Sequence, residues 1–498
     1  MKPSGNFTLN SFIIKSIGFT LGILSFILIL IFVDFGDGQT NAKIVAAVAA
    51  LMACWWIFES IPLAATSLVP LVFFPLLGVV NATSIADKYM NSTIMLFIGG
   101  FFIAIAMEKW NLHKRIALSV ILFFGSSPSK IIFGFMAACA FISMWISNTA
   151  TCLMVLPIGM SIVYKIENEF GKDRTNAFSK SLMLAIAYSC TIGGISTLIG
   201  TPPNLIFQRM YKISFPTAEL IKFGEWMIFA VPLSAVLLIL TWVFLTKILY
   251  RTDSNLVLNR EIIKEEKTKL GITTYEEKAV SIVFFITSFL WIFRSDLDLG
   301  ILKIPGWSNL FSISSFIDDS TVAISMALVL FLIPCDWKLN KHKFILDYDD
   351  VRKIPWDIVL LFGGGFALAE GFVQSGLSKI MSQSFIGLTN LSPIAIITLI
   401  GFIIVFATEL LSNSALITIM LPVLASLAIE MKVDPIMFMI PATLSVSLAF
   451  MLPVGTPPNA IVFSSRRLSV FDMAKTGFIL NIIGIGLVVA VAYLFFVK

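Results

Sequence analysis

Apolar runs recur along the whole chain at lengths that suit membrane-spanning helices. At about 1.5 Å per residue, roughly 20 apolar residues cross a hydrocarbon core of roughly 30 Å. Two pairs of runs, 130–148 with 152–165 and 392–411 with 414–430, each resemble one long helix interrupted by a polar triplet. The pattern therefore predicts an all-α polytopic membrane protein with about eleven transmembrane helices. The other runs cover 17–33, 43–60, 63–80, 181–199, 226–249, 279–293, 317–334, 436–452 and 476–497.

Two further apolar segments carry glycine clusters. Residues 95–110 read MLFIGGFFIAIAMEKW and residues 358–376 read IVLLFGGGFALAEGFVQSG, and a basic amphipathic stretch follows each. Because glycine lets a backbone turn tightly or approach a neighbour, we predict that each segment is part of a re-entrant helical hairpin. The alternative is an ordinary spanning helix whose small residues form a packing face.

Polar triplets and proline-rich breaks interrupt the apolar sequence twice, in the same order. Ser147–Thr149 precedes Gly200–Asn204, and Ser412–Ser414 precedes Gly455–Asn459. The two triplets are 265 positions apart, as are the two glycine clusters. Non-helical backbone persists at membrane depth only where protein or a cavity surrounds it. Two such breaks in matching halves are typical of the binding site of a secondary transporter.

This repetition predicts the organisation of the chain. The spacing leaves open whether the two repeats run in the same direction or are inverted. The predicted units are an N-terminal segment with the first span (1–42), a first repeat (43–222), a span with a charged linker (223–278), a second repeat (279–475) and a C-terminal span (476–498).

Composition and charge exclude several other classes of protein. Of 498 residues, 58% are hydrophobic and 13% are charged, which is about half the charged share of a soluble protein. The net charge of +5 is spread over several loops and does not indicate nucleic-acid binding. The five cysteines lack CxxC spacing, so we predict neither a disulfide framework nor a zinc site. Basic residues predict cytoplasmic loops at 165–180 and 251–278, whereas 294–316 is predicted to be external.

Interrupted helices supply charge partners within the membrane. One fragment exposes N–H groups that suit anions, and the other exposes carbonyl groups that suit hard cations such as sodium. Asn148 and Asn413 each add a carbonyl oxygen for a cation and an amide N–H for a carboxylate. Two matched half-sites predict a dicarboxylate substrate, with one carboxylate at each triplet. Because the apolar spans offer no obvious arginine as countercharge, coupling to cations is favoured.

Glu409 is an acidic residue within an apolar segment. It lies four positions before Asn413, on the same helical face near the break. Ionisable residues at membrane depth are candidates for function, so Glu409 either positions the site or neutralises a cation. A buried, hydrogen-bonded structural acid is the alternative.

The paired motifs resemble those of the divalent anion/sodium symporter family, which includes sodium-coupled dicarboxylate and citrate carriers. The resemblance covers nearly the whole chain, and it implies an inverted repeat, a homodimer and a cytoplasmic N-terminus. It also implies a transport domain that moves against a scaffold in elevator-type alternating access. The matching strings are SNTATCLMVLP (147–157), IGTPPNLIF (199–207), TELLSNSALITIMLP (408–422) and VGTPPNAIVF (454–463).

The resemblance also implies roles for individual residues. The second triplet is SNS where many family members have SNT, and this loss of a methyl group bears on substrate preference. A first sodium ion would bind Ser143, Ser147, Asn148 and Gly200, and a second would bind Thr408, Asn413, Gly455 and the backbone of Leu411. The substrate would contact Asn148, Thr149, Thr201, Pro202, Asn413, Ser414, Thr456 and Pro457.

We therefore predict a secondary active transporter, not an enzyme, that imports C4-dicarboxylates such as succinate, fumarate or malate by sodium symport. It would be a multi-pass protein of a bacterial inner membrane, and its partners would be the substrate, sodium ions, the lipid bilayer and a second copy of the chain. The alternatives are a sodium-independent dicarboxylate exchanger and a carrier of citrate or sulfate. A channel and a membrane-embedded enzyme fit less well, because the pattern has no charged pore ring and no paired catalytic motif.

Overall fold

The computed structural model describes residues 5–36, 38–124, 127–251, 261–298, 303–335, 343–383, 387 and 391–496. Nearly all of this part of the chain is helical, as the apolar pattern predicts. A π-helical turn (Phe244–Leu249) extends α12, and β1 (Leu297–Asp298) pairs antiparallel with β2 (Lys303–Ile304). The helices are α1 (Gly5–Phe32), α2 (Thr40–Ile57), α3 (Leu63–Thr66), α4 (Val69–Leu76), α5 (Ala82–Ala86), α6 (Ser92–Lys109), α7 (Leu112–Phe123), α8 (Pro128–Ser143), α9 (Asn148–Phe170), α10 (Lys172–Ile195), α11 (Pro202–Ser214), α12 (Phe223–Val243), α13 (Glu261–Lys269), α14 (Tyr275–Ile292), α15 (Asp319–Leu332), α16 (Tyr348–Val351), α17 (Trp356–Gln374), α18 (Leu377–Gln383), α19 (Pro393–Thr408), α20 (Asn413–Met431), α21 (Ile436–Ser445), α22 (Pro457–Phe463) and α23 (Val470–Phe495).

The two ends of α12 define two faces of the protein. Beyond its last turn, the hydroxyl groups of Tyr250 and Thr476 lie 3.3 Å apart, next to the charged linker. We name this end the linker face. At the other end, the N–H of Phe223 donates to Asp319 at 3.3 Å, beside the segment predicted to be external. We name this end the opposite face.

The first polar triplet lies at the tip of a helical hairpin. Trp242, near the linker face, donates its indole N–H to the carbonyl of Ser129 at the start of α8 (2.9 Å). α9 leads back to the same face, because α10 follows it directly and Lys180 in α10 pairs with Asp472 there (2.8 Å). The prediction of one continuous, interrupted helix at 130–165 was therefore wrong, since residues 144–147 reverse the chain.

The second triplet lies at the tip of a hairpin that enters from the opposite face. α19 runs antiparallel to α23: Glu409 accepts from Asn481 (2.8 Å), and Gly401 packs against Ile485, further toward the opposite face. α20 returns to that face, where α21 begins. The prediction of an interrupted helix at 392–430 was wrong for the same reason as in the first half.

The glycine clusters lie in full-length spanning helices, so the prediction that they form re-entrant hairpins was also wrong. α6 runs from a polar cleft at the opposite face to the linker face, where Lys109 bonds to Asp350 (2.6 Å). Gly99 allows close packing, because a Cβ there would lie 2.6 Å from the Cβ of Ala323 in α15. The alternative of a small-residue packing face is the correct one for this segment.

The matched helices form an inverted repeat. The order α6–α12 recurs as α17–α23: a span, a short helix, a re-entrant hairpin, an interrupted span and a final span. The first hairpin enters from the linker face and the second from the opposite face, so the two copies have opposite directions. Within the described residues, about eleven crossings result when α3–α4, α10–α11 and α21–α22 each count as one.

The predicted cytoplasmic loops lie together at the linker face. The linker is helical at α13, and residues 252–260 lie outside the described part of the chain. Residues 343–353, which carry the basic residues Lys343, Arg352 and Lys353, lie there too, because Lys109 of α6 pairs with the buried Asp350. Burial alone would raise the pKa of Asp350, but hydrogen bonds from Lys109 and Lys353 outweigh this effect and hold the pKa below its ordinary value.

The boundaries of the five units predicted from the sequence, from the N-terminal segment to the C-terminal span, stay predictions.

Neighbouring glycines of α6 provide a matched test of this packing. Gly99→Ala forces a methyl group against the Ala323 backbone at 2.7 Å, and overpacking of this kind costs about 1–3 kcal/mol. We expect its melting temperature in detergent to fall by several degrees. Gly100→Ala meets only Ile199, at 3.6 Å, and serves as the control. Equal melting temperatures for the two variants would contradict the helix contact.

Candidate functional site

The tip of the first hairpin brings a serine and an asparagine together. The hydroxyl of Ser143, at the end of α8, donates to Asn148 Oδ1 at the start of α9 (2.6 Å). Ser147 caps α9, because its Oγ accepts from the N–H of Ala150 (3.2 Å). Three of the four residues predicted to bind the first sodium ion, Ser143, Ser147 and Asn148, therefore lie at this hairpin tip.

The tip of the second hairpin repeats this geometry. The hydroxyl of Thr408 donates to Asn413 Oδ1 at 2.6 Å and lies 3.0 Å from the carbonyl oxygen of Val446. Thr408 holds the position of Ser143 in the inverted repeat. Each asparagine thus has its Oδ1 held by a hydroxyl at the preceding helix end, and no described hydrogen bond uses its Nδ2 group.

The Gly-Thr-Pro-Pro segments join the two halves of each interrupted span. Thr201 and Thr456 are extended, at φ −144° and −143°, and the prolines that follow occupy the first turn of α11 and α22. A Cβ at Gly200 would lie 2.5 Å from the carbonyl oxygen of Gly194, so only glycine fits this crossing. At Gly455 a Cβ would lie 2.9 Å from Glu409 Oε2.

Asn204 and Asn459, which end the two GTPPN motifs, also shape the site, although they are not among the predicted sodium or substrate ligands. Asn204 is fully buried, and its Nδ2 group donates to the carbonyl groups of Gly194 (3.3 Å) and Thr197 (2.7 Å). Asn459 donates in the same way to two carbonyls that follow α21. These amides donate to backbone carbonyl oxygens that would otherwise lack hydrogen-bond partners at the ends of the broken helices. Their presence in both copies of the motif was the signal available in the sequence.

The two halves differ in how the hairpin tip is tied to the broken span. In the first half, the Thr197 hydroxyl donates to the carbonyl of Met144 (2.5 Å) and accepts from the N–H of Gly200 (3.1 Å). In the second half, Glu409 occupies the position of Met144, and its carboxylate accepts three hydrogen bonds. The donors are the backbone N–H groups of Met451 (2.8 Å) and Leu452 (2.9 Å) and the amide of Asn481 (2.8 Å).

A cavity of roughly 660 Å³ unites both triplets and both Gly-Thr-Pro-Pro segments. Its lining includes the exposed Glu59 and also Ile358, which lies near the linker-face end of α17, so the cavity opens toward that face. Ser143 and Thr408 lie buried behind the two tips. All eight predicted substrate contacts line it: Asn148, Thr149, Thr201, Pro202, Asn413, Ser414, Thr456 and Pro457. The predicted sodium ligands Ser147, Gly200, Leu411 and Gly455 line it as well.

The electrostatics of the cavity come from helix ends. α9, α11, α20 and α22 begin at it, whereas α8, α10, α19 and α21 end beside it. The first set presents partial positive charge and the second set partial negative charge. No lysine or arginine is among the described residues that line the cavity. Helix ends of both signs at one cavity suit an anion that binds together with cations.

Comparison with known proteins agrees with this geometry. The family model for the sodium:sulfate symporter transmembrane region matches residues 15–497. The sodium-dependent dicarboxylate transporters SdcS of Staphylococcus saprophyticus and Staphylococcus aureus are each 41% identical over 483 residues, which cover 96% of this chain and 90% of theirs. The predicted family resemblance is confirmed.

Two solved structures share the fold. MtrF of Neisseria gonorrhoeae, from a class of antimetabolite efflux pumps, has a TM-score of 0.55 at 15% identity, over 83% of each chain. The YdaH transporter of Alcanivorax borkumensis has a TM-score of 0.55 at 12% identity, over 85% of this chain and 88% of its own. At these identities the likeness concerns architecture alone.

Glu409→Gln tests whether the Glu409 carboxylate stabilises the fold by accepting from backbone N–H groups or instead neutralises a cation. A glutamine keeps one acceptor oxygen and turns an N–H₂ group toward the remaining donors. Buried N–H groups are then left unpaired, which lowers the stability of the fold by about 1–3 kcal/mol. We expect a lower melting temperature in sodium-free buffer, where no cation contributes.

Glu219→Gln, an exposed change, is the control for Glu409→Gln. Unchanged melting without sodium, together with weakened sodium binding, would show instead that Glu409 serves the cation.

Proposed function

Because the chain belongs to the sodium:sulfate symporter transmembrane-region family, we propose that it imports C4-dicarboxylates such as succinate, fumarate or malate together with sodium ions. It is a multi-pass membrane transporter and not an enzyme. The observation that carries the proposal is the cavity itself, where four helix N-termini and four helix C-termini meet and no described lining residue is basic. A dianion in such a place needs cations beside it, because helix ends alone supply only partial charges.

Asn148 and Asn413 couple the two ligands in this proposal. Each offers Oδ1, now held by a hydroxyl, to a sodium ion, and each keeps Nδ2 for a carboxylate of the substrate. A sodium ion that fixes Oδ1 also fixes the direction of Nδ2. Sodium binding therefore orders the substrate site before the substrate arrives, and each ligand strengthens the binding of the other.

The two hairpins and the two interrupted spans are proposed to move as one transport domain. Contacts between the repeats support this division: Tyr188 donates to the carbonyl of Phe450 (2.9 Å), and Arg467 pairs with Glu167 (2.5 Å). Elevator-type movement of this body against α2–α6, α14, α15 and α17 would carry the cavity from the linker face toward the opposite face. The homodimer that the family resemblance implies stays a prediction.

Uptake into proteoliposomes tests the proposed reaction. We expect labelled succinate to enter under an inward sodium gradient and not under an equal potassium gradient, with no substrate inside. Labelling that requires internal succinate and ignores sodium would identify a dicarboxylate exchanger instead. Preferred uptake of citrate or sulfate would reassign the substrate while keeping the mechanism.

The two triplet asparagines test the proposed site. We expect Asn148→Ala and Asn413→Ala each to reduce sodium-driven succinate uptake at least 100-fold, because each loses a cation ligand and a substrate donor together. Asn168→Ala, at the exposed end of the same α9 helix, is the matched control and should transport normally. Normal uptake by either triplet variant would overturn the assignment.

A further inference from the structure

Trp145 lies in the connection between α8 and α9, at the tip of the first hairpin. Its side chain is only 9% exposed and stands parallel to Trp291, with ring centroids 6.4 Å apart and planes at 5°. It is also nearly parallel to Phe223 (6.2 Å, 18°) and perpendicular to Phe284 (5.3 Å, 90°). We name Phe223, Phe284 and Trp291 the aromatic platform. Such stacked and edge-to-face pairs are favourable beyond the area they bury.

The aromatic platform is fixed at the opposite face by one carboxyl residue. The indole N–H of Trp291 donates to the carbonyl of Asp319 (3.0 Å), and the N–H of Phe223 donates to its carboxylate (3.3 Å). Arg294 bonds to the same carboxylate at 2.5 Å. Phe223 and Trp291 are themselves nearly parallel, 5.0 Å apart. The platform thus has a defined orientation that does not depend on Trp145.

The equivalent tip of the second hairpin has no such contact. Leu410 holds the position of Trp145 in the second repeat, and it is 73% exposed in the cavity. Val454, which precedes the second Gly-Thr-Pro-Pro segment, is 77% exposed. In this conformation, whose cavity opens to the linker face, the first hairpin tip is docked and the second is free.

The docked position of Trp145 leaves one polar atom unpaired. Its indole Nε1 is buried and has no hydrogen-bond partner among the described residues. A buried, unpaired N–H opposes the docked position, whereas release would let it bond to water. The aromatic contact therefore holds the tip without making the position irreversible.

We propose that Trp145 is a latch: its docking on the aromatic platform stabilises the conformation whose cavity opens to the linker face. For the site to reach the opposite face, Trp145 must leave Phe284 and Trp291. It is a positioning residue, since it acts through the hairpin tip that carries Ser147 and Asn148. The inference rests on the proposed function, because it assumes alternating access. It adds one contact that favours the conformation open to the linker face.

The test uses a cysteine at the free tip as a reporter. The four cysteines other than Cys54 are buried, so Leu410→Cys supplies the main reactive thiol, and the unsubstituted protein measures the background. Purified protein is treated with a small charged maleimide in sodium-free buffer, and the rate is followed by intact-mass spectrometry. We expect Trp145→Ala to slow labelling of Cys at position 410 at least twofold, because less of the protein exposes this tip.

Two further variants locate the effect in the aromatic contact. Trp291→Leu, on the platform side, should slow labelling as Trp145→Ala does, whereas Trp145→Phe should keep most of the parent rate. Phe141→Ala, on a partly exposed side of α8, is the control and should leave the rate unchanged. An unchanged size-exclusion profile verifies that each variant is folded.

The outcomes separate the latch from the proposed function. Unchanged or faster labelling in both tryptophan variants, within a Leu410→Cys parent that takes up succinate, overturns the latch alone. A parent without sodium-driven uptake, when the unsubstituted protein also lacks it, overturns the proposed function. Slower labelling in Trp145→Ala and Trp291→Leu, with partial retention in Trp145→Phe, supports the latch.

Discussion

The pairing of backbone polar groups inside the membrane is the constraint on which this structure depends. A helix end leaves up to about four N–H or C=O groups without partners, and the hydrocarbon core offers none. Here eight helix ends meet near one cavity. Asn204 and Asn459 pair part of the open carbonyls with their amides. In the proposed mechanism, an anion and cations bound in the cavity would pair with groups that remain open at these helix ends.

The inverted repeat gives both halves the same arrangement of hairpin tip and broken span, but the side chain that links them is charged only in the second half. In the first half, the hydroxyl of Thr197 ties the hairpin tip to the broken span. In the second half a carboxylate, Glu409, does so through three hydrogen bonds. Its Oε2 lies close to Gly455, one of the predicted sodium ligands. In a low-dielectric surrounding this charge favours a cation at the second half-site, even though Glu409 uses its oxygens for other donors.

The sequence predicted the breaks and the repeat, because each follows from local chemistry. Polar triplets and Gly-Thr-Pro-Pro cannot continue a helix, and their recurrence at a fixed spacing marks corresponding positions. All eight substrate contacts implied by the family resemblance line one cavity.

The direction of the chain at each triplet could not be predicted in the same way. An interrupted helix and a re-entrant hairpin have the same apolar pattern on either side of the break. The choice depends on distant contacts, such as Trp242 with Ser129 in the first half. The prediction of re-entrant hairpins at the glycine clusters was wrong for a related reason. Gly99 allows close packing of Ala323 from another helix, and the local sequence does not identify this partner. Glu409 likewise acquired its role from Asn481, which lies 72 positions away.

Calorimetric binding of succinate to the purified protein, at a series of sodium concentrations with potassium as the balancing ion, tests the central claim most directly. The account predicts no measurable binding in potassium alone and an affinity that rises steeply with sodium. By linkage, it also predicts that succinate raises the affinity for sodium by the same factor. Equal succinate affinity in sodium and potassium would contradict it, because the anion would then be held without the cations that the cavity requires.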